Sequence, residues 1–252
     1  PFSSTLTLAE GHYSLLVEDQ YGCLDMVNVI IQSPDPIVAN TTTNDVTCFQ
    51  GSNGSVNLTT FGGTLPYNID FGGVNTNALS AGTYAITISD LNGCSTTTNY
   101  TINEPNDISI SSNTTSVSCH NGSDGTAFAV ANGGTAPYTY FWTPSGNNSQ
   151  FISNLSSGNY YVTATDAYGC SPTQGPQLIT INQPIAPITT STISTNASCF
   201  SYSDGTAQIF ASGGSGPYTY LWSNGLTTSN VSNLSKGSYS CIINDVNNCV
   251  TT

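Results

Sequence analysis

Eight cysteines, two histidines, one lysine and no arginine are the residues from which chemistry could be built in this chain of 252 residues. The cysteines recur at fixed places. Cys23, Cys94, Cys170 and Cys249 each close a short turn opened by an aspartate, as in "DAYGC" from Asp166 and "DVNNC" from Asp245. Cys48, Cys119 and Cys199 each open another turn: "CFQGSNGS", "CHNGSDGT" and "CFSYSDGT". No CxxC pair and no cysteine–histidine spacing suggests zinc. Disulfides in an oxidising, extracytoplasmic setting are the expected chemistry. Cys241 stands apart. It takes the place of Ile86 and Val162 in its strand and reads as a buried, inert thiol.

Catalysis finds no matching constellation. His12 falls on the solvent side of its strand and His120 in a Gly/Asn turn. Both read as solvated surface residues, and neither recurs as histidine in another unit. Lys236 is a lone loop residue. No Ser-His-Asp or Cys-His arrangement can be assembled once per unit. The recurring aspartates stand singly, so no carboxylate pair for glycoside hydrolysis is evident. One lysine also excludes a repeated isopeptide crosslink. The chain is therefore expected not to be an enzyme. Asp124 and Asp204 in "GSDG", with Asn53 at the same place, offer oxygen ligands for calcium. One carboxylate per turn fits turn formation better, so no cofactor is expected and calcium is the sole candidate. The net charge of -13 excludes nucleic-acid binding by phosphate neutralisation and a polybasic lipid anchor.

The elements that position these residues are written repeatedly. "GNYYVTATDAYGC" from Gly158 has close copies at Gly11, Gly82 and Gly237. Each first cysteine is followed by a strand, then by "GGTLPYNIDF", "GGTAPYTYFW" or "GGSGPYTYLW". A leucine three residues before a glycine comes next (Leu79, Leu155, Leu234), then the quoted strand and the second cysteine. Residues 1–37 fit the back half of an earlier unit. Whole units span 38–107 and 108–187, and 188–252 lacks its last strand. The chain thus reads as a piece of something longer.

Period-two alternation makes these strands. Tyr84, Ile86 and Ile88 point one way, while Ala85, Thr87 and Ser89 point the other. No segment sustains a helical period. Short strands with frequent turns imply an all-β fold of antiparallel, immunoglobulin-like sandwiches. Trp142 and Trp222 lie on the third strand, where such a domain buries an aromatic. Tyr84, Tyr160 and Tyr239, in Leu-x-x-Gly-x-Tyr, match a tyrosine corner, whose hydroxyl bonds a nearby backbone group. The turn aspartates should bond the backbone two residues on. The paired glycines, such as Gly133-Gly134, should supply positive φ.

Taken together, "C-x-x-G/Y-S-D/N-G", "G-G-x-x-P-Y-x-Y-x-W", "L-S-x-G-x-Y" and "D-x-x-G-C" resemble the SprB repeat of Bacteroidota surface proteins. Part of the pattern, "Y-x-V-x-x-x-D", is shared with PKD-like domains. Phe71 stands where other units have tryptophan, and Asn248 where others have glycine. The resemblance implies a very long cell-surface adhesin, exported by type IX secretion and moved along the surface in gliding motility. Its implied partners are neighbouring repeats of the same chain, the outer-membrane secretion and gliding machinery, and surface polysaccharide.

The cysteine pairing depends on strand count. Small modules with modest cores usually carry a staple. With seven strands and head-to-tail stacking, the first cysteine of one unit faces the second of the next, giving Cys48–Cys170 and Cys119–Cys249. Cys23, Cys94 and Cys199 would then pair with units outside the chain. With six strands the pairing returns to within units: Cys48–Cys94, Cys119–Cys170 and Cys199–Cys249. Either way the function expected is a stiff, disulfide-braced stalk, with each unit adding roughly 35–45 Å to a rod. The alternative is a carbohydrate-binding accessory region of a secreted polysaccharide-degrading enzyme. Phe141 and Tyr161, facing away from the core, are its surface candidates.

Overall fold

The computed structural model describes residues 5–252, so the first four residues of the leading half unit lie outside the described residues. The described chain is all-β, every paired strand is antiparallel, and no helix occurs among the described residues. It divides into two compact units, Pro1–Glu104 and Pro105–Thr252.

The first unit opens with a hairpin of β1 (Gly11–Glu18) and β2 (Leu24–Ile31). Then come β3 (Val38–Asn44), β4 (Ser55–Phe61), β5 (Asn68–Asp70), β6 (Gly82–Ser89) and β7 (Ser95–Ile102). β3 pairs with β4, and β5-β6-β7 form the facing sheet. Alternation sorts the side chains as expected. Ile86 and Ile88 are fully buried with Val56, Leu79, Tyr100 and Ile102. On the outer face the hydroxyls of Thr87 and Thr97 meet at 3.2 Å.

The second unit holds two beads. The first comprises β8 (Ser109–Thr115), β9 (Gly125–Asn132), β10 (Thr139–Thr143), β11 (Phe151–Leu155), β12 (Gly158–Thr165) and β13 (Gln177–Ile181). Sheets β11-β9-β8 and β10-β12-β13 enclose a core of Val117, Ala127, Ala129, Trp142, Ile152, Leu155, Val162, Ile179 and Ile181. The second bead repeats the plan with β14 (Thr189–Thr195), β15 (Gly205–Ser212), β16 (Thr219–Trp222), β17 (Asn230–Leu234), β18 (Cys241–Asn244) and β19 (Val250–Thr251). Its sheets are β14-β15-β17 and β16-β18-β19.

Each of these beads has six strands, not the seven on which the between-unit pairing was reasoned. The segment between β10 and β11 folds as a turn. Gly146 N donates to Trp142 O (2.8 Å), and Trp142 N donates to Asn147 O (2.9 Å). This turn doubles the chain back without adding a strand, so the up-down parity of a seven-strand sandwich survives the loss.

Two anchors fix the sheets to each other. The Trp142 indole is fully buried and donates from Nε1 to Ser149 O at 2.9 Å; Trp222 donates likewise to Thr228 O at 2.9 Å. Phe71, which replaces tryptophan in the first unit, is half-buried against its core. The tyrosine corners form. Tyr84, Tyr160 and Tyr239 donate from their hydroxyls to Ser80 O (2.9 Å), Ser156 O (3.1 Å) and Ser235 O (3.0 Å). Tyr13 does the same to Ala9 O at 3.0 Å.

Candidate functional site: the aspartate and cysteine turns

The aspartate that opens each second-cysteine turn is a buried structural acceptor. Asp166 Oδ1 accepts from Tyr168 N and Cys170 N, both at 2.9 Å, which closes the turn on itself. Its Oδ2 accepts from Thr135 N at 2.8 Å, across from the paired-glycine loop. Asp90 makes the same three bonds to Asn92, Cys94 and Thr64, and Asp245 to Asn247, Cys249 and Ser215. All three are buried. Burial pushes the Asp166 carboxyl upward, but the backbone donors of Thr135, Cys170 and Tyr168 outweigh it and hold the group below its ordinary value. Gly134 must stay bare here. Its φ is +57°, and a Cβ would lie 2.7 Å from Asp166 Oδ2.

The bond from Oδ1 to the residue two places on is the one the sequence implied. The bond from Oδ2 was not anticipated, because it joins residues 31 apart that only the fold brings together.

This clamp places the second cysteine at the end of the bead where β9 finishes. The first cysteine lies at the other end, before Gly125, which begins β9 and pairs with Leu155. Its turn is held by Ser118 N donating to Asp124 Oδ1 (2.9 Å) and Gly122 N donating to Cys119 O (2.9 Å). One bead therefore cannot join its own two cysteines: a strand of eight residues separates the turns by roughly 25 Å, whereas bonded Cα atoms lie within about 7 Å.

Cys119 of one bead is instead joined to Cys249 of the next, with an S–S distance of 2.07 Å and a Cα–Cα distance of 5.6 Å. Asn247 Nδ2 donates to Ser118 O at 3.0 Å beside the bond. Cys48 and Cys170 are also disulfide-bonded. Cys23, Cys94 and Cys199 are exposed free thiols. The within-unit alternatives Cys48–Cys94, Cys119–Cys170 and Cys199–Cys249 are thus absent. Six strands were expected to favour them, but the doubling-back turn keeps the two cysteines of a bead at opposite ends. Cys241 is buried and free, and burial pushes its thiol upward.

The remaining reactive candidates have local partners. Asp124 and Asp204 are lowered by hydrogen bonds from Ser118 and Ser198, side chain first and then backbone. Asn53 Oδ1 accepts from Thr47 N at 3.1 Å. These acceptors serve the turn. Among the described residues no three His, Cys, Asp or Glu side chains gather to hold a metal ion. His12 is exposed on β1. His120 differs from the expectation of a solvated residue: it is half-buried, with Nδ1 2.9 Å from Pro184 O. The reason is that the segment after β13 runs alongside the first-cysteine turn. Phe141 and Tyr161 lie on the outer face of β10 and β12, 48% and 44% exposed.

Comparison with protein-family models agrees with the repeat plan. The family model of the SprB repeat matches at three places, residues 40–71, 111–147 and 191–227. Each match runs from the first strand of a bead into its third-strand region, across the first-cysteine turn. A search of curated proteins returns no match. Among solved structures, the amphioxus IgVJ-C2 molecule is similar at 19% identity, covering 71% of this chain and 100% of that one, with a TM-score of 0.27. By these three matches the chain carries SprB repeats, one in each bead.

Proposed function

We propose that this chain is a stretch of the stalk of a giant cell-surface adhesin, acting in surface adhesion and gliding motility. Its task is mechanical: to hold a distant contact under load, outside the cell. The observation that carries this reading is the Cys119–Cys249 bond, which ties one bead to its successor in a chain of repeated beads. The same rule, first cysteine of one bead to second cysteine of the next, keeps Cys48–Cys170 as the companion staple of the proposal. Beads would stack head to tail and load would pass through covalent bonds. Export by type IX secretion, and surface partners such as the gliding machinery, belong to the same reading. The SprB repeat matches support a cell-surface setting.

Single-molecule stretching tests it. The Cys119–Cys249 bond by itself should withhold about 450 Å of contour length, given the separation of 130 residues across it. Reduction should release that length. Equal extension before and after reduction would remove the mechanical role.

One observation favours a second reading, glycan contact. Phe141, Tyr161 and Leu178 form an exposed apolar strip on one sheet face. Aromatic faces of this kind stack on sugars. Glycan-array binding that is lost in Phe141→Ala and Tyr161→Ala chains would support an accessory carbohydrate-binding role.

A further inference from the structure

β4 pairs with β3 on one side, and part of its other edge is unclaimed. Gly54 exchanges backbone hydrogen bonds with Leu79, each 2.9 Å, and Val56 N donates to Thr76 O at 3.1 Å. Backbone groups alternate in direction along a strand. Leu58 and Thr60 therefore aim theirs past the same edge as Val56. Among the described residues, neither Leu58 N–H nor Thr60 N–H has an acceptor there. Their counterparts do. Ala129 N donates to Gln150 O at 3.0 Å and Ala131 N to the Tyr140 hydroxyl at 3.1 Å; in the last bead Ile209 N donates to Ser229 O at 2.9 Å. The cause is written in the sequence. Ile69 stands where Tyr140 stands in the next bead, so the hydroxyl is missing. Residues 72–78 lead directly from Phe71 to Leu79, whereas residues 143–154, between Trp142 and Leu155, are long enough to include β11. The edge is open because this repeat is shorter in its interior.

Nothing guards this edge. Open edges are ordinarily protected by charge, proline or a bulge. β3 and β4 contain no charged residue and no proline, and their register runs unbroken from Val38↔Phe61 to Asn44↔Ser55. The nearby turn stands clear, since a Cβ on Gly72 or Gly73 would meet nothing within 4 Å. The open window is also complementary to itself. When a second β4 lies antiparallel with Thr59 opposite Thr59, each Leu58 faces the Thr60 of the other copy. Such a pair exchanges both its backbone bonds, so every unclaimed group on either edge is answered. The window has matching limits. The residue that would oppose Val56 is Gly62 of the other copy, and its φ of +74° turns the chain away where Thr76 already holds the edge.

We propose that the β4 edge is a self-association site, where a second copy of this chain adds its own β4 to form one continuous sheet, β3-β4-β4-β3. The contact is isologous, with the same patch on both partners and a two-fold axis at Thr59. Backbone pairing supplies the attraction, as in β-strand addition generally. The net charge of -13 opposes association elsewhere, but the two strands that meet here are neutral. The inference does not depend on the stalk reading.

Sedimentation equilibrium of the whole oxidised chain tests this, with the exposed thiols Cys23, Cys94 and Cys199 alkylated beforehand so that no disulfide links two copies. A monomer–dimer equilibrium is expected, and amide exchange at Leu58 and Thr60 should slow as concentration rises. Thr60→Pro removes an N–H that faces outward and no bond to β3. It should weaken dimerisation at least about tenfold while the unfolding midpoint holds. Thr59→Lys leaves the core untouched and sets two ammonium groups against each other across the axis, so it should also weaken the dimer. Mixing it with Thr59→Asp should restore association as a heterodimer. A monomer at every concentration would overturn the proposal. So would dimers that both Thr60→Pro and Thr59→Lys leave unchanged, or a Lys and Asp mixture that associates no more tightly than either variant alone.

Discussion

Asp166 shows how one carboxylate can hold two loops. It is buried, and it answers three backbone N–H groups. Replacing it with alanine should cost about 3 kcal/mol, because buried donors lose their acceptor; chemical denaturation of the oxidised chain measures this. Its folded value lies below that of an ordinary aspartate, so the folded state favours its ionised form. The stability it gives is present above the unfolded value, roughly pH 4, and is lost as pH falls through the folded value. The thermal midpoint should therefore drop on acidification below about pH 4, and less steeply in Asp166→Asn. The local half of this clamp was legible in the sequence, since Asp-x-x-Gly is a turn wherever it occurs. The other half was not, because Thr135 approaches Asp166 only after the sandwich closes. Thiol chemistry follows the same logic of exposure. In the folded chain, alkylation should label Cys23, Cys94 and Cys199 and spare Cys241, whose thiol is buried and shifted upward; mass mapping reads the pattern. Labelling of Cys241 at the rate of the other three would contradict its place in the core.

Among the elements, strand identity was the legible part. Tyr160, Val162 and Ala164 alternate with polar residues, and the buried parity of β12 follows. The tyrosine corner was legible for the same reason, since Leu-x-x-Gly-x-Tyr fixes a contact of four residues' span. Tyr160→Phe removes only the hydroxyl bond to Ser156 O and should cost about 1 kcal/mol, read as a fall in the unfolding midpoint without loss of fold. The strand count was not legible. "TPSGNNSQ" can be spaced as a short edge strand or folded as a turn, and the choice is made by the Trp142 indole capturing Ser149 O. That bond is tertiary. Trp142→Phe should accordingly loosen the turn as well as the core, and hydrogen exchange at residues 144–150 should rise more than in β12.

At the scale of the whole molecule, a sequence of modest cores is given covalent help. A bond across 130 residues is worth about 5 kcal/mol in the chain-entropy model, close to the upper end for a single disulfide. The beads carry little charge, and the chain is net acidic at -13. Neighbouring chains therefore repel weakly while neighbouring beads hold covalently. Repetition announced the beads. The route of the bond from one bead to the next depended on strand parity, which no local pattern encodes. It is also the point on which the proposed mechanical role rests. Non-reducing peptide mapping of the oxidised chain, with alkylation before digestion, examines it directly. A Cys119 peptide joined to a Cys249 peptide is the result expected; a Cys119 peptide joined to a Cys170 peptide would contradict it.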